Sequence, residues 1–232
     1  MMKNTVIIGG SKGIGLEITK QLYQKNKVYV LSRSAEDLSD LDVVHIPFDV
    51  TSDQLNGALL PEVIDQFVYC PGSINLKPIS NLKQESFQTD MQINFFALTD
   101  LFQAILPRLK KSSQASVLFF STVAVSVGMP FHASIAAAKG AVEGFTRSIA
   151  AELAPGIRVN AIAPSLTNTS LADKFLNNER KLEAAKSRNP LQEIGDPKKI
   201  AATAVHLLSD DASWITGQII HIDGGMSTLK TS

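Results

Sequence analysis

Thr5-Val6-Ile7-Ile8-Gly9-Gly10-Ser11-Lys12-Gly13-Ile14-Gly15 joins a short apolar run to a glycine-rich turn and the first residues of a helix. The run is rich in β-branched side chains, which suit a strand. Beyond it Ile14, Ile18 and Leu22 recur every four positions, the stripe of an amphipathic helix. Strand, glycine turn and helix in that order give a glycine motif its meaning. Glycines let backbone N–H groups approach a pyrophosphate, and the helix N-terminus adds partial positive charge. Glycines alone would mark only a tight turn. In this setting they point to nucleotide binding through Gly9, Ser11, Lys12, Gly13, Ile14 and Gly15.

The chain downstream fits a sheet built on that unit. Lys27 to Leu31 reads as a second strand, and Ser32-Arg33 stands where dinucleotide folds meet the adenosine ribose. An acid there favours a free 2′-hydroxyl, whereas an arginine accommodates a 2′-phosphate. Lys12 in the glycine loop supplies a second positive charge. Either residue alone reads as a solvated surface charge; together they favour NADP(H) over NAD(H). Val43 to Phe48 is a third strand ending at Asp49-Val50, whose carboxylate can accept from an adenine amino group or cap the Thr51-Ser52-Asp53 turn. Phe67 to Cys70 is a fourth strand, turned by Pro71-Gly72.

Asn81 to Lys111 carries a long helical pattern in Phe87, Met91, Phe95, Leu98 and Phe102, with Asn94 the polar exception. Such a residue ordinarily satisfies a neighbouring backbone group. Ser116 to Phe120 is a fifth strand. Ser121-Thr122 follows at the carboxyl edge, where open parallel sheets handle ligands, so these hydroxyls either touch substrate or cap the turn. His132 to Ala154 is a helix rich in alanine and glycine, stopped by Pro155-Gly156, and Lys139 projects from it. Arg158 to Ala163 is a sixth strand, followed by Pro164. The polar, loosely patterned stretch after it, about 165–190, reads as a lid or substrate loop. Asp196-Pro197 gives N-cap and N1 signals for a helix reaching about Leu208. Gln218 to Ile222 is a last strand, closed by Asp223-Gly224-Gly225.

Composition sets the outer bounds. With 232 residues, no repeat and no linker, a single domain over 1–232 is expected. Hydrophobic residues make up 44% and charged residues 19%, which suits a compact protein with a large core. The 22 basic and 22 acidic side chains cancel, so no global field recruits nucleic acid or an anionic membrane. The single cysteine, Cys70, rules out an internal disulfide framework and fits a reducing compartment. No apolar run approaches bilayer length, and a cytoplasmic location is expected. No metal site is expected.

These motifs together resemble the short-chain dehydrogenase/reductase family, of the type that includes the β-ketoacyl-carrier-protein reductases. The resemblance runs through Gly9–Gly15, Asp49-Val50, Gly72, Asn94, Ser121-Thr122 and Lys139. It continues through Val159-Asn160 with Pro164, Thr216-Gly217 and Asp223-Gly224-Gly225. It implies a doubly wound α/β Rossmann fold with a seven-stranded parallel sheet and the substrate loop after the sixth strand. Segments around the second and third helices look shortened. It also implies a small carbonyl or alcohol substrate, and a homodimer or homotetramer formed through the helices bearing Asn94 and Lys139.

In that family a tyrosine moves the proton, a lysine lowers its pKa and holds the nicotinamide ribose, a serine steadies the substrate oxygen, and an asparagine holds a relay water. Lys139 matches the lysine, Asn94 the asparagine and Thr122 the serine; the cofactor contacts would include Cys70, Gly72, Pro164 and Thr167. Ile8 replaces a usual threonine, Tyr69-Cys70-Pro71-Gly72 a usual Asn-Asn-Ala-Gly, and Pro164-Ser165 a usual Pro-Gly. The tyrosine position is Ile135, which has no proton to exchange.

Among nearby groups His132, three residues earlier, can titrate near neutrality and take the role, or can simply be a helix-end residue bonded to backbone. Tyr69 is a more distant candidate, and Ser134 lacks a partner base. Three readings follow: an NADP(H)-dependent oxidoreductase with a changed proton donor, a nucleotide-binding protein without turnover that senses NADP(H) or partners an active relative, and a non-redox dehydratase or isomerase on the same fold.

Overall fold

A computed structural model describes residues 2–230; of the expected domain span, residues 1, 231 and 232 lie outside the described residues. Seven strands form one all-parallel sheet in the order β3-β2-β1-β4-β5-β6-β7. They are β1 (Asn4–Ile8), β2 (Lys27–Ser32), β3 (Val44–Pro47), β4 (Gln66–Tyr69), β5 (Ala115–Phe120), β6 (Ile157–Pro164) and β7 (Ile219–Ile222). The main helices are α1 (Gly13–Leu22), α2 (Gln84–Met91), α3 (Ala97–Leu109), α4 (Ala133–Leu153), α5 (Asp173–Leu176), α6 (Glu179–Lys186) and α7 (Pro197–Leu208).

The strands are mostly apolar, and β4 and β5 are buried throughout, because both faces of the sheet are covered. Alternation sorts the side chains: Val6 and Ile8 of β1 enter one core with Phe67, Phe102, Phe119 and Val142, while Ile7 enters the other with Ile18, Val30 and Leu207. One face therefore packs on α3 and α4, the other on α1 and α7. On the first face Phe67, Phe102, Phe119 and Phe145 interlock, edge-to-face in three of the five ring pairs among them that lie within 6.5 Å. The two crossovers from β2 to β3 and from β3 to β4 are trimmed to single 3-10 turns, Glu36–Leu38 and Gly57–Leu59. This is the shortening expected around the second and third helices.

Two expectations need correction. The helical pattern over 81–111 is not one regular helix. It starts at Gln84 and widens into a π turn at Gln92–Phe96, with Asn94 at its middle. The stretch about 165–190 is not a loop. It folds as a 3-10 turn at Ser170–Ala172 followed by α5 and α6, and Asn178 caps α6 by accepting from the Lys181 N–H at 2.9 Å. Its helices are short and polar, so they carry little apolar stripe to read. By contrast α7 starts as expected, with the Asp196 carboxylate accepting from the Lys198 N–H at 2.8 Å and Pro197 in its first turn.

The order reverses between β1 and β4, and ligands in open α/β sheets bind at the carboxyl ends beside such a switch point. A cleft lies there.

Candidate active site

A cleft of about 1100 Å³ runs along the carboxyl edge of the sheet, from the end of β2 to α4 and the α5–α6 segment. Sites for one small molecule occupy roughly 300–1000 Å³, so this volume suits a dinucleotide with room beside it. The glycine loop forms its floor near the switch point. Gly9 has φ +75°, and Gly15 lies so close to it that a Cβ on Gly15 would meet the Gly9 carbonyl oxygen at 2.3 Å. Only glycine permits that approach, which brings the α1 N-terminus up to the cleft. Pro71 packs onto Gly9, its ring 3.1 Å from where a Cβ would stand, so the altered Tyr69-Cys70-Pro71-Gly72 corner fills space against the loop.

At one end of the cleft Lys12 and Arg33 are exposed and, among the described residues, have no carboxylate within 4.0 Å, a cationic mouth suited to a phosphate. Ser32 lines the same end, but its hydroxyl donates to the Ser34 carbonyl at 2.9 Å, which fixes the turn. Asp49 caps its own turn: its carboxylate accepts from the Thr51 hydroxyl at 2.6 Å and the Thr51 N–H at 2.9 Å. Those two bonds, with Arg33 adding to them, hold the carboxyl below the usual carboxylate range. One oxygen faces the turn, yet Asp49 and Val50 still border the cleft.

The other end is buried and carries the candidate reacting groups. Lys139 reaches it from α4 and donates to the Phe120 carbonyl at 2.8 Å. Withdrawal from water lowers its ammonium to about 8, while Cys70 and Asp90 pull the other way. Thr122, in extended backbone, accepts weakly from the Ala124 N–H at 3.4 Å. Its hydroxyl proton is left to donate into the cleft. Ser121 differs: its hydroxyl donates to Glu143 at 2.7 Å and ties β5 to α4. Ile135, 5% exposed, lines the wall one turn before Lys139.

His132 also borders the cleft, with Nδ1 on the Pro130 carbonyl at 2.7 Å. In the neutral ring that bond keeps the hydrogen on Nδ1 and leaves Nε2 an acceptor only. Tyr69 is no donor to this site, because its hydroxyl donates to the Ile93 carbonyl at 2.6 Å and burial raises its pKa. Ser134 is fully buried. Cys70 and Gly72 line the floor, and loss of water around the Cys70 sulfur pushes its thiol up to about 12, so it stays protonated. Pro164 and Thr167 close the far side, the Thr167 hydroxyl donating to the Ser165 carbonyl at 2.9 Å.

Asn94 does not line the cleft; it lies just under it. Its Oδ1 is 3.3 Å, and the Lys139 Nζ 3.6 Å, from the point where a Cβ on Gly72 would stand. Glycine at 72 thus keeps open a polar gap that a water could bridge. The residues that sequence reasoning missed lie beside this gap: Ser73, Asn75 and the fully buried Asp90. Aspartate in a helix reads as a surface charge, and no local spacing ties it to residues 15 and 17 positions earlier. Apolar walls from Ile74, Leu76, Met129, Leu171 and Phe175 face the reacting end. Among the described residues no group of three or more His, Cys, Asp or Glu side chains is placed to hold a metal ion, and no helix is long and apolar enough to cross a membrane.

Comparison with known proteins places this geometry. Residues 9–227 match a family model described as enoyl-(acyl carrier protein) reductase. A tropinone reductase homolog of Datura stramonium is 32% identical, over 95% of this chain and 90% of its own length. The 3-oxoacyl-[acyl-carrier-protein] reductase of Thermotoga maritima is 30% identical, over 97% of each chain. Among solved structures, the RhlG/NADP active-site complex of Pseudomonas aeruginosa superposes with a TM-score of 0.88 at 26% identity, covering 97% of this chain and 96% of its own.

Proposed function

The chain belongs to the short-chain dehydrogenase/reductase family, and we propose that it is an NADP(H)-dependent oxidoreductase acting on a small carbonyl or alcohol. The observation that carries this reading is the division of one cleft into an exposed cationic end at Lys12 and Arg33 and a buried reacting end at Lys139 and Thr122. Arg33 and Lys12 would take the 2′-phosphate, Gly9–Gly15 and the α1 N-terminus the pyrophosphate, and Lys139 the nicotinamide ribose. That a solved structure of the same fold is an NADP active-site complex supports NADP(H) as the cofactor. When bound, the cofactor supplies or accepts the hydride.

The residues of the chain do the rest. Thr122 donates to the substrate oxygen, steadying charge as it develops there. Ile74, Leu76, Met129, Leu171 and Phe175 exclude water and select an apolar substrate body. Asn94 and Gly72 hold open the polar gap beside Lys139. With isoleucine at 135 the tyrosine's usual proton is missing, so turnover is slow by family standards or relies on another donor. His132 borders the cleft and is one such group, though it must be doubly protonated to act as an acid.

A second reading, a cofactor-binding protein without turnover, has Ile135 in its favour. Titrating the protein with NADPH and NADH by fluorescence, then assaying NADPH oxidation against ethyl acetoacetate and an acetoacetyl thioester, separates the two. Binding with turnover supports the oxidoreductase; binding without turnover supports the second reading; absence of binding removes both. Self-association through the layer formed by α2, α3 and α4 belongs to the same proposal, supported by Phe96 standing 46% exposed there. Light scattering should then give a homodimer or homotetramer.

A further inference from the structure

Beneath the reacting end lies a polar cluster around Asp90, which has no part in the roles above. Asp90 on α2 is fully buried, and its Oδ1 accepts from the Ser73 hydroxyl and from the Asn75 amide at 2.8 Å. Ser73 Oγ in turn accepts from the Asn94 amide at 2.9 Å, and the same amide donates to the Asp90 backbone carbonyl at 2.8 Å. Two of the cluster's buried acceptors, Asp90 Oδ2 and Asn94 Oδ1, find no partner among the described residues. A buried carboxylate with an unpaired oxygen is costly unless a positive charge stands near it. The cation whose field it meets is Lys139.

Lys139 has its own surplus. An ammonium has three protons to donate, and Nζ spends one on the Phe120 carbonyl. Its remaining surroundings are the polar gap at Gly72 and the cleft. The titratable groups acting on it are Cys70 from the end of β4, which stays a neutral thiol, and Asp90 from α2. Glu143, one turn further along α4, is engaged by Ser121 and Arg147 instead.

We propose that in this chain Lys139 is itself the proton donor to the substrate oxygen, and that Asp90, tethered by Ser73 and Asn75, is a positioning residue that keeps Lys139 charged. This rests on the oxidoreductase reading. In the reductive direction the carbonyl carbon receives the hydride, the C=O π pair moves onto oxygen, and that oxygen takes a proton from Nζ. The products are the alcohol, the oxidised cofactor and a neutral amine, and the amine regains its proton from solvent water. Isoleucine at 135 leaves the space in front of Nζ without a competing acid. Withdrawal of Lys139 from water makes its proton easier to give near neutral pH, and the Asp90 charge stops that effect from emptying the ammonium altogether.

The test has an arm that needs neither cofactor nor turnover. In cofactor-free protein carrying ¹³C at the lysine Cε, the Lys139 resonance is identified by its loss in Lys139→Met and followed from pH 6 to 10. The midpoint should lie near 8 in the native chain. It should fall by about one unit or more in Asp90→Asn, as removal of a nearby opposite charge requires. Asp90→Leu, an apolar replacement of similar volume, gives the same direction should Asp90→Asn fail to fold. An unchanged midpoint overturns the role of Asp90.

The second arm measures NADPH-dependent reduction of ethyl acetoacetate and an acetoacetyl thioester. kcat/KM should be level below about pH 8 and fall about tenfold per unit above it, and the fall should begin at lower pH in Asp90→Asn. Lys139→Arg keeps a positive charge that gives up no proton, and should retain NADPH binding while losing reduction by about 100-fold or more. Retained reduction in Lys139→Arg, or its loss in His132→Ala with Lys139→Arg still active, overturns the lysine as donor. Native protein that binds NADPH and reduces neither probe instead overturns the oxidoreductase reading, and the lysine's donor role falls with it.

Discussion

Ile135 and Lys139 stand one helical turn apart on α4 and both reach the same cleft, the first with no proton to give and the second buried with one carbonyl as its partner. The usual division of labour between such neighbours is absent, so the question of turnover reduces to what a single side chain changes.

Ile135→Tyr tests that directly. A positioned acid contributes about 10²–10⁴-fold in rate, so the substitution should raise NADPH-dependent ketone reduction by at least about tenfold. The larger ring must fit where isoleucine is 5% exposed, and melting temperature should be recorded alongside. A stable variant with no gain would show that the wall of the pocket has changed along with the acid.

Thr122 separates steadying the substrate oxygen from mere turn capping. Thr122→Ser keeps the hydroxyl and should stay within about threefold of native kcat, whereas Thr122→Val should lose about 10²-fold if the donor acts on developing charge. A purely structural role would instead appear as a lower melting temperature with kcat unchanged, since the capping bond to Ala124 is long at 3.4 Å.

Arg33 should decide cofactor choice. NADPH should bind more tightly than NADH, and Arg33→Ala should weaken NADPH by about tenfold while leaving NADH nearly unaffected, the size expected for one charge-assisted bond. Lys12→Ala should act in the same direction. Equal affinity of the native protein for the two cofactors would remove both residues from that role.

Gly15→Ala should disable the loop. The added carbon would meet the Gly9 carbonyl at 2.3 Å, a contact relieved only by moving backbone. Overpacking of this kind costs about 1–3 kcal/mol, and both melting temperature and NADPH affinity should fall. A variant that melts normally and binds normally would show that the loop yields more easily than its spacing implies.

Much of this was legible in the residues themselves. Every strand was readable, to within a residue or two of its bounds, because a parallel sheet covered on both faces leaves largely apolar runs. The glycine loop and Thr122 announced themselves by their place at strand ends, and Lys139 by its match to the family's lysine on an alanine-rich helix. What stayed hidden was of two kinds. The helices within about 165–190 are short and polar, with Leu182 and Ala185 carrying most of α6's inward contact, so packing rather than pattern makes them. The π turn at Gln92–Phe96 and the cluster beneath it were invisible for another reason. A single widened turn leaves Phe95, Leu98 and Phe102 at ordinary helical spacing, and Asp90 meets Ser73 and Asn75 only after folding.

The change in exposure along the cleft has one more consequence. Arg33 and Lys12 face water, where mobile ions within about 10 Å at 0.1 M salt weaken any attraction they exert, while Lys139 and Asp90 are shut away from such ions. Raising ionic strength should therefore loosen the grip on NADPH and erode its advantage over NADH, yet leave the pH at which Lys139 titrates almost where it was. One groove would carry a salt-sensitive address at its mouth and a salt-blind reaction centre at its base.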